Sequence, residues 1–470
     1  MAISRRALLL GGAAVAVAIP AGRQIWWSSQ DFTREGFSPD LPEVPPGRRA
    51  WMNWTGYQKA TPQQIAAPTS SDLVADLIKT SPAPIRPVGS SHSFTALVPA
   101  DGTIIDVGAL AGLTSHDTEA QTARLGAGTR LQQAARLLSE QGLAFPNLPD
   151  IDVQTLAGGF STGTHGTGRN LTAIHDYVRG FELVTASGEI LDVSADKNPE
   201  LFQAGKVSLG SLGVITRYDL KLDKAFALRR QVWLEKIDSL LDRYHALSKK
   251  HRNFEILYFP GTGFAAAFAH DLHDGPVKGQ EPSGDEDFVA GLRDLRDVFG
   301  WWPWLREKVA AGEIAEGPVE DTTDEAWKLL ATSRPTKFNE MEYHMALDKG
   351  IDTLREVIAM MEARKSAYFP IEARVTAPDD AWLSPFNDGH RMSIAIHAEA
   401  SEEFDFFFSE FEPLFLRNGG RPHWGKFHSL EAEQLSELYP QFDAFNALRK
   451  QLDPTGKFVS RYMAKIWGET

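Results

Sequence analysis

The run Arg86-Pro87-Val88-Gly89-Ser90-Ser91-His92-Ser93-Phe94 sets one imidazole, His92, among residues that leave the backbone bare. Glycine allows the chain to approach a ligand closely, and consecutive N–H groups with three serine hydroxyls make a concavity suited to a pyrophosphate. A second run, Gly158-Gly159-Phe160-Ser161-Thr162-Gly163-Thr164-His165-Gly166-Thr167-Gly168, repeats that chemistry with five glycines and four hydroxyls. Two such cradles imply one long, phosphate-bearing ligand.

Other readings of the second run fail on chemistry. Gly158 to Gly163 has P-loop spacing, but Thr164 stands where the phosphate-binding lysine belongs, so an NTPase is not expected. Gly159-Phe160-Ser161-Thr162-Gly163 has the form of a serine-hydrolase elbow. That motif needs a buried strand before it and a helix after it, whereas Asp152-Val153-Gln154-Thr155 precedes and more glycines follow. No G-x-G-x-x-G follows a strand and opens a helix, so a Rossmann site is not indicated.

Charged chemistry is concentrated late in the chain. In Phe369-Pro370-Ile371-Glu372-Ala373-Arg374-Val375 the alternation is that of a strand, which places Glu372 and Arg374 on one face. Arg421-Pro422-His423-Trp424-Gly425-Lys426 adds an imidazole and an ammonium, and Phe338-Asn339-Glu340-Met341-Glu342-Tyr343 adds two carboxylates. His270-Asp271-Leu272-His273-Asp274 has metal-ligand types but reads as solvated surface, and no metal site is expected.

The elements around these residues alternate in type. Thr103 to Val107 reads as a buried strand, Leu131 to Gln141 as an amphipathic helix stopped by Gly142, and Tyr177–Thr185 with Glu189–Val193 as a hairpin turning at Ala186-Ser187-Gly188. Val207 to Leu222 reads as a glycine-punctuated strand. Further on, Ile237, Leu240, Leu241, Tyr244 and Leu247 recur at helical spacing, and Phe254 to Phe259 reads as a strand. Asp274 to Asp287 is expected to be an exposed loop, and Trp301, Trp302 and Trp304 a satellite of the core.

At 470 residues, two domains are expected behind a leader. A formal charge of −14, with no basic cluster interleaved with aromatics, disfavours nucleic acid as a partner. There is no cysteine, which excludes disulfides, thiolate metal sites and cysteine nucleophiles. Ser4-Arg5-Arg6 before the apolar run Ala7–Ile19 and Pro20 reads as a twin-arginine export signal with a possible cleavage site at Ala16-Val17-Ala18. A periplasmic or otherwise extracytoplasmic location follows from that reading. Its competitor is a retained anchor, with Trp26 and Trp27 at a membrane interface.

Taken in order, Val88–Phe94, Thr162–Gly168, Asn339–Tyr343, Glu372-Ala373-Arg374, His423-Trp424-Gly425-Lys426 and Leu452-Asp453-Pro454-Thr455-Gly456-Lys457-Phe458 resemble the FAD-linked sugar-1,4-lactone oxidases. These belong to the vanillyl-alcohol oxidase superfamily and have the alditol oxidases as near relatives. The resemblance runs from Asn53-Trp54-Thr55-Gly56 to the C-terminus. It implies an α+β, two-domain flavoprotein: a leader over 1–30, an FAD-binding domain over 48–225, a substrate cap of sheet and helix over 226–440, and a return to the FAD domain over 441–470. It implies FAD contacts from Pro87, Val88, Gly89, Ser90, Ser91, His92, Ser93, Phe94, Gly158, Ser161, Thr162, Gly163, Thr164, Gly166, Gly168, Val214 and Ile215, with His92 joined covalently to the flavin. It further implies oxidation of a lactone at C2 by hydride transfer to flavin. Arg374 and Lys426 would stabilise charge, and Glu372 would bind the substrate or take its proton, with His423 and His397 as other candidates for the proton. The motif ending the chain departs from the family, with Ser460 expected as a weaker cofactor contact. Dioxygen and an electron carrier both remain open as the acceptor. Two other classes stay in view: a hydrolase acting through Ser161, and a flavin module without catalysis.

Overall fold

The structure is a computed structural model that describes residues 21–280, 285–332 and 336–469. The expected export signal therefore lies outside the described residues, and no described helix is long and apolar enough to cross a membrane.

The first domain starts from a small parallel sheet in the order β1-β3-β2, with β1 Gln64–Ala66, β2 Ile85–Val88 and β3 Thr103–Asp106. Helix α2, Ser71–Thr80, makes the crossover that parallel strands need. Ser70 caps it by accepting from the Leu73 N–H, and Val74, Ala75 and Ile78 are its buried side. A five-stranded antiparallel sheet follows in the order β7-β6-β8-β5-β4, comprising β4 Leu113–Asp117, β5 Thr122–Gly126, β6 Val178–Val184, β7 Ile190–Ser194 and β8 Val214–Lys221. Helix α3, Leu131–Ser139, buries Leu131, Ala134, Ala135 and Leu138, and the chain leaves it at Gly142 with φ +71°. The hairpin expected around Gly188 is β6–β7. The strand expected over Val207–Leu222 forms only from Val214, because Gly210 and Gly213 take φ +62° and +145° and turn the preceding residues into a loop.

The second domain is one eight-stranded antiparallel sheet in the order β12-β9-β11-β10-β14-β15-β13-β16. Its strands are β9 Ala227–Lys236, β10 Asn253–Phe259, β11 Phe264–His273, β12 Gly317–Glu325, β13 Phe338–Ala346, β14 Ile371–Thr376, β15 Arg391–Glu399 and β16 Arg421–Pro422. Helices α6, Ile237–Lys250, and α10, Leu347–Ala363, bury their apolar sides, including Leu240, Tyr244, Leu354 and Val357, in the core that this sheet forms. The loop expected up to Asp287 gives way to helix α7, Asp285–Phe299. His270 is buried and its Nε2 faces the Leu329 carbonyl, while Asp271, on the other face of β11, pairs with His251. Strand alternation thus divides a cluster that looked like solvated surface.

Helix α1, Ala21–Ser28, packs on α7: the Trp27 indole donates to the Arg296 carbonyl at 2.9 Å, and Gln24 accepts from the Trp301 indole at 2.7 Å. Trp27 therefore serves the fold, whereas Trp26 and Trp304 are exposed. After β16 the chain returns to the first domain's core. Trp424, Leu430, Leu435, Phe445 and Trp467 share one apolar cluster with Leu125, Leu131 and Phe160. The Lys457 ammonium donates to the carbonyls of Ile78 and Ala186, which fastens the C-terminal segment to α2 and the hairpin turn.

Candidate active site

A large cavity runs between the domains. Every residue from Pro87 to Phe94 lines it, with Gly158, Ser161, Thr162, Thr164 and Ile215 from the second run and β8, and Glu372, Arg374, His423 and Lys426 from the cap. The two cradles are locked together by side-chain size. A Cβ on Gly89 would stand 2.0 Å from the Thr155 hydroxyl oxygen, and that hydroxyl caps the six-residue helix α4, Leu156–Ser161, by accepting from the Gly158 N–H. Ser90 donates to the Val153 carbonyl at 2.5 Å, and Ser91, at φ +58°, offers its carbonyl to the Trp54 N–H at 2.8 Å.

Four expected cofactor contacts serve the frame. Gly163, Gly166, Gly168 and Val214 do not line the cavity. Gly163 and Gly168 hold φ of +77° and +143°, a Cβ on Gly166 would sit 2.3 Å from the Leu148 carbonyl, and Val214 belongs to the apolar core under α2. Ser460 is likewise a helix cap, for Arg461–Trp467, rather than a cavity residue. Ser161 ends α4 with its hydroxyl 3.3 Å from that of Ser208, and among the described residues no imidazole bonds it. The helix precedes the serine instead of following it, so the elbow of a hydrolase is not built.

Arg86, behind the first cradle, went unread in the sequence. Its guanidinium is fully buried and donates to the carbonyls of Leu97, Leu209, Gly210 and Phe458, with no ion pair among the described residues. Burial alone lowers its pKa to about 9, so it stays charged. This buried cation stands behind a lining of bare N–H groups and hydroxyls, a setting that fits the diphosphate of FAD.

The opposite wall is one face of the large sheet. Glu372 pairs in register with Leu257 and Ala395, and Ala395 with Glu342; Arg374 pairs with Glu255 and Ser393, and Ser393 with His344. Because side chains alternate, Glu340, Glu342 and His344 on β13 share their face with Glu372 and Arg374 on β14 and His397 on β15. The period-two run Glu340-Met341-Glu342-Tyr343-His344 carried the same signal as Glu372-Ala373-Arg374.

Charge on this wall is arranged in two groups. Arg374 Nη2 lies 2.8 Å from Glu372 and 3.1 Å from Glu342, and its Nη1 is 3.6 Å from Asp150. Asp150, Glu255 and Glu372 have carboxylate oxygens within 4.8 Å of one another. Burial, and the crowding of Asp150 and Glu255 against the pull of Arg374, raise Glu372 well above the carboxylate range. Glu342 goes the other way. Burial opposes its charge, but His165 Nε2 at 3.0 Å and Arg374 hold it well below that range. In the second group Lys426 bonds Glu340, whose other oxygen is 3.6 Å from His397 Nε2; burial is outweighed by Lys426, with the His397 ring acting in the same direction, and Glu340 falls to about 2. On the cradle side His92 stacks on Trp54 at 4.9 Å between ring centres, and burial with Lys426, Arg130 and Lys337 lowers it to about 4. Trp54, Phe338 and Phe369 form an apolar flank beside the charges.

The fold and this cavity define a two-domain flavoprotein. A cholesterol oxidase from B. sterolicum has the same fold, with a TM-score of 0.71 and 15% identity over 93% of this chain and 99% of that one. Residues 62–194 match an FAD binding domain, and residues 219–466 match the D-arabinono-1,4-lactone oxidase family. An L-gulono-1,4-lactone dehydrogenase from Mycobacterium tuberculosis is 32% identical over 89% of this chain and 99% of its own length. An L-gulonolactone oxidase from Bos taurus is 28% identical over 89% and 98%. The chain belongs to the D-arabinono-1,4-lactone oxidase family and is an FAD-dependent oxidoreductase.

Proposed function

We propose that the protein oxidises a sugar-1,4-lactone of the L-gulono or D-arabinono type at the C2 hydroxyl. The observation that carries this reading is the charged wall of Glu372, Arg374 and Lys426 in the same cavity as His92 and both cradles. FAD, when bound, supplies the acceptor for the hydride. The chain's own residues do the rest. Glu372 holds a substrate hydroxyl, and the fixed Arg374 and Lys426 cations stabilise negative charge developing in a site from which water is largely displaced. Trp54, Phe338 and Phe369 cover the C–H face of the sugar ring.

His92 is proposed as the covalent attachment point. Lowered to about 4, its imidazole stays neutral and nucleophilic at physiological pH, in a loop whose neighbours are small. Dioxygen is proposed as the final acceptor, with an electron carrier as the competitor. The Ser4-Arg5-Arg6 leader supports export by the twin-arginine route, which cell fractionation tests by comparing the full chain with a double variant carrying Arg5→Lys and Arg6→Lys.

The experiment is anaerobic addition of L-gulono-1,4-lactone, D-arabinono-1,4-lactone or xylitol to the yellow protein, followed by air. Bleaching by a lactone supports the reading, bleaching by xylitol alone moves the enzyme to alditols, and no bleaching by any of them overturns it. Rapid recolouring in air supports dioxygen. Flavin that stays with the denatured chain, and is released from His92→Ala, supports the covalent link.

A further inference from the structure

We infer that His397, with Glu340 behind it, is the catalytic base that removes the proton from the substrate hydroxyl. The inference rests on the lactone-oxidising reading of the cavity and deepens it.

Four imidazoles line the cavity, and their hydrogen bonds separate them. His423 Nδ1 accepts from the Gly425 N–H at 3.0 Å, so the neutral ring carries its hydrogen on Nε2 and has no lone pair left to give. His165 donates from Nε2 to the ionised Glu342, and its Nδ1 is turned to the Gly166 carbonyl and the Thr376 hydroxyl. His92 is committed to the cofactor side and stacks on Trp54. His397 differs. Its Nδ1 lies 2.7 Å from the Pro370 carbonyl, an atom that can only accept, so the hydrogen is on Nδ1 and the neutral ring keeps its lone pair on Nε2. That nitrogen is 3.6 Å from Glu340, beyond hydrogen-bond reach.

The carboxylates do not compete for the role. Each is engaged with a cation: Glu372 and Glu342 with Arg374 at 2.8 and 3.1 Å, and Glu340 with Lys426. The groups facing His397 suit a base. Glu340 across β13 stabilises the imidazolium once formed, Lys426 keeps Glu340 ionised, and Phe338 and Phe369 pack on the ring at 5.1 and 5.9 Å. In the step, the O–H bond breaks and its proton goes to Nε2, the C–H bond breaks and its hydride goes to FAD, and the carbon–oxygen bond becomes a carbonyl. One secondary alcohol loses two electrons and FAD gains them.

The test is anaerobic stopped-flow bleaching of the holoenzyme from pH 5 to 9, comparing the native chain with His397→Asn, His397→Gln and Glu340→Gln. Asparagine keeps a donor for the Pro370 carbonyl but is no base. The limiting bleaching rate is expected to fall by about 10²–10³-fold in His397→Asn, the range for a lost general base. The acid limb of the native profile should vanish, with lactone affinity held within a few fold. Glu340→Gln should move that limb to lower pH. A limb that survives unchanged in both His397 variants, or a rate within about threefold of native, overturns the assignment. Should only a polyol bleach the native protein, the lactone reading fails, yet the same comparison still decides the base, because oxidising any alcohol to a carbonyl removes a hydroxyl proton in the same way.

Discussion

The cradles and the wall face each other across one cavity, yet they are held by different physics. The cradles are almost uncharged. Gly89, Ser90, Ser91 and Thr155 interlock through backbone and hydroxyls, and their precision comes from the absence of side-chain volume. The wall buries Glu340, Glu342, Glu372, Arg374 and His423, and its precision comes from the cancellation of charge. A change of volume should therefore cripple the first and spare the second, and a change of charge should do the reverse.

The largest effect is expected from Arg374→Gln. It leaves Glu342, Glu372 and Asp150 without their shared cation, a loss of about 3–5 kcal/mol for a broken buried pair, seen as a lower melting temperature. Flavin bleaching by substrate should slow by about 10³-fold, as when a fixed stabilising charge is removed. Arg374→Lys should restore little, because one ammonium cannot span carboxylates met by two guanidinium nitrogens. If Arg374→Gln bleached at the native rate, the wall would not be the reactive side.

Next comes Gly89→Ala. The added methyl meets the Thr155 hydroxyl at 2.0 Å and must push the two cradles apart, at about 1–3 kcal/mol for overpacking. The flavin-to-protein ratio should drop, and the melting temperature of the apoprotein should fall by a few degrees with it. Thr155→Ala in the same chain removes the clashing atoms and should recover part of the flavin. Full flavin content in Gly89→Ala alone would show that the cradles do not close as tightly as the Gly89–Thr155 contact requires.

What the sequence could and could not disclose follows the same division. The cradles are local: small residues in a row announce a backbone site, and Pro87–Phe94 all line the cavity. Within the second run, sequence cannot separate a glycine that lines the cavity, such as Gly158, from those that hold the frame behind it, such as Gly163, Gly166 and Gly168. The wall is non-local. Glu372 and Arg374 were legible from strand alternation, but Glu340 and Glu342 joined them only once β15 had paired between β13 and β14, and no periodicity specifies that order. Arg86 was hidden for a related reason, since its four carbonyl partners come from three separate loops.

A smaller effect separates charge from volume within the wall. Glu342→Gln is isosteric, keeps an acceptor for Arg374, and removes one negative charge from the cavity. FAD content should stay native. The equilibrium for reducing the bound flavin against a reference dye should shift toward the reduced form by about tenfold, the order expected for one buried charge at an effective dielectric near 20. An unchanged equilibrium would mean that Glu342 acts through packing alone.

The smallest effect is the dependence of stability on pH. Burial keeps His423 neutral down to about 3 and His270 and His428 down to about 4, all below their ordinary value of 6.5. These are depressed folded-state values, so the stability they contribute is complete above about pH 6.5 and is lost as the pH falls toward 4 and 3, where the unfolded chain binds the protons first. Glu372 works in the opposite sense: its raised value contributes stability that is complete below about pH 4.5 and is lost as the pH rises from there through the folded value. The melting temperature should therefore fall as the pH drops below about 6.5, by about 5 °C at pH 5. His423→Asn should shallow the acid slope, and Glu372→Gln, which removes the opposing contribution, should steepen it. Gly89→Ala, which moves no charge, should shift the whole curve without changing its shape, and a changed shape would show that the cradles and the wall are not energetically separate.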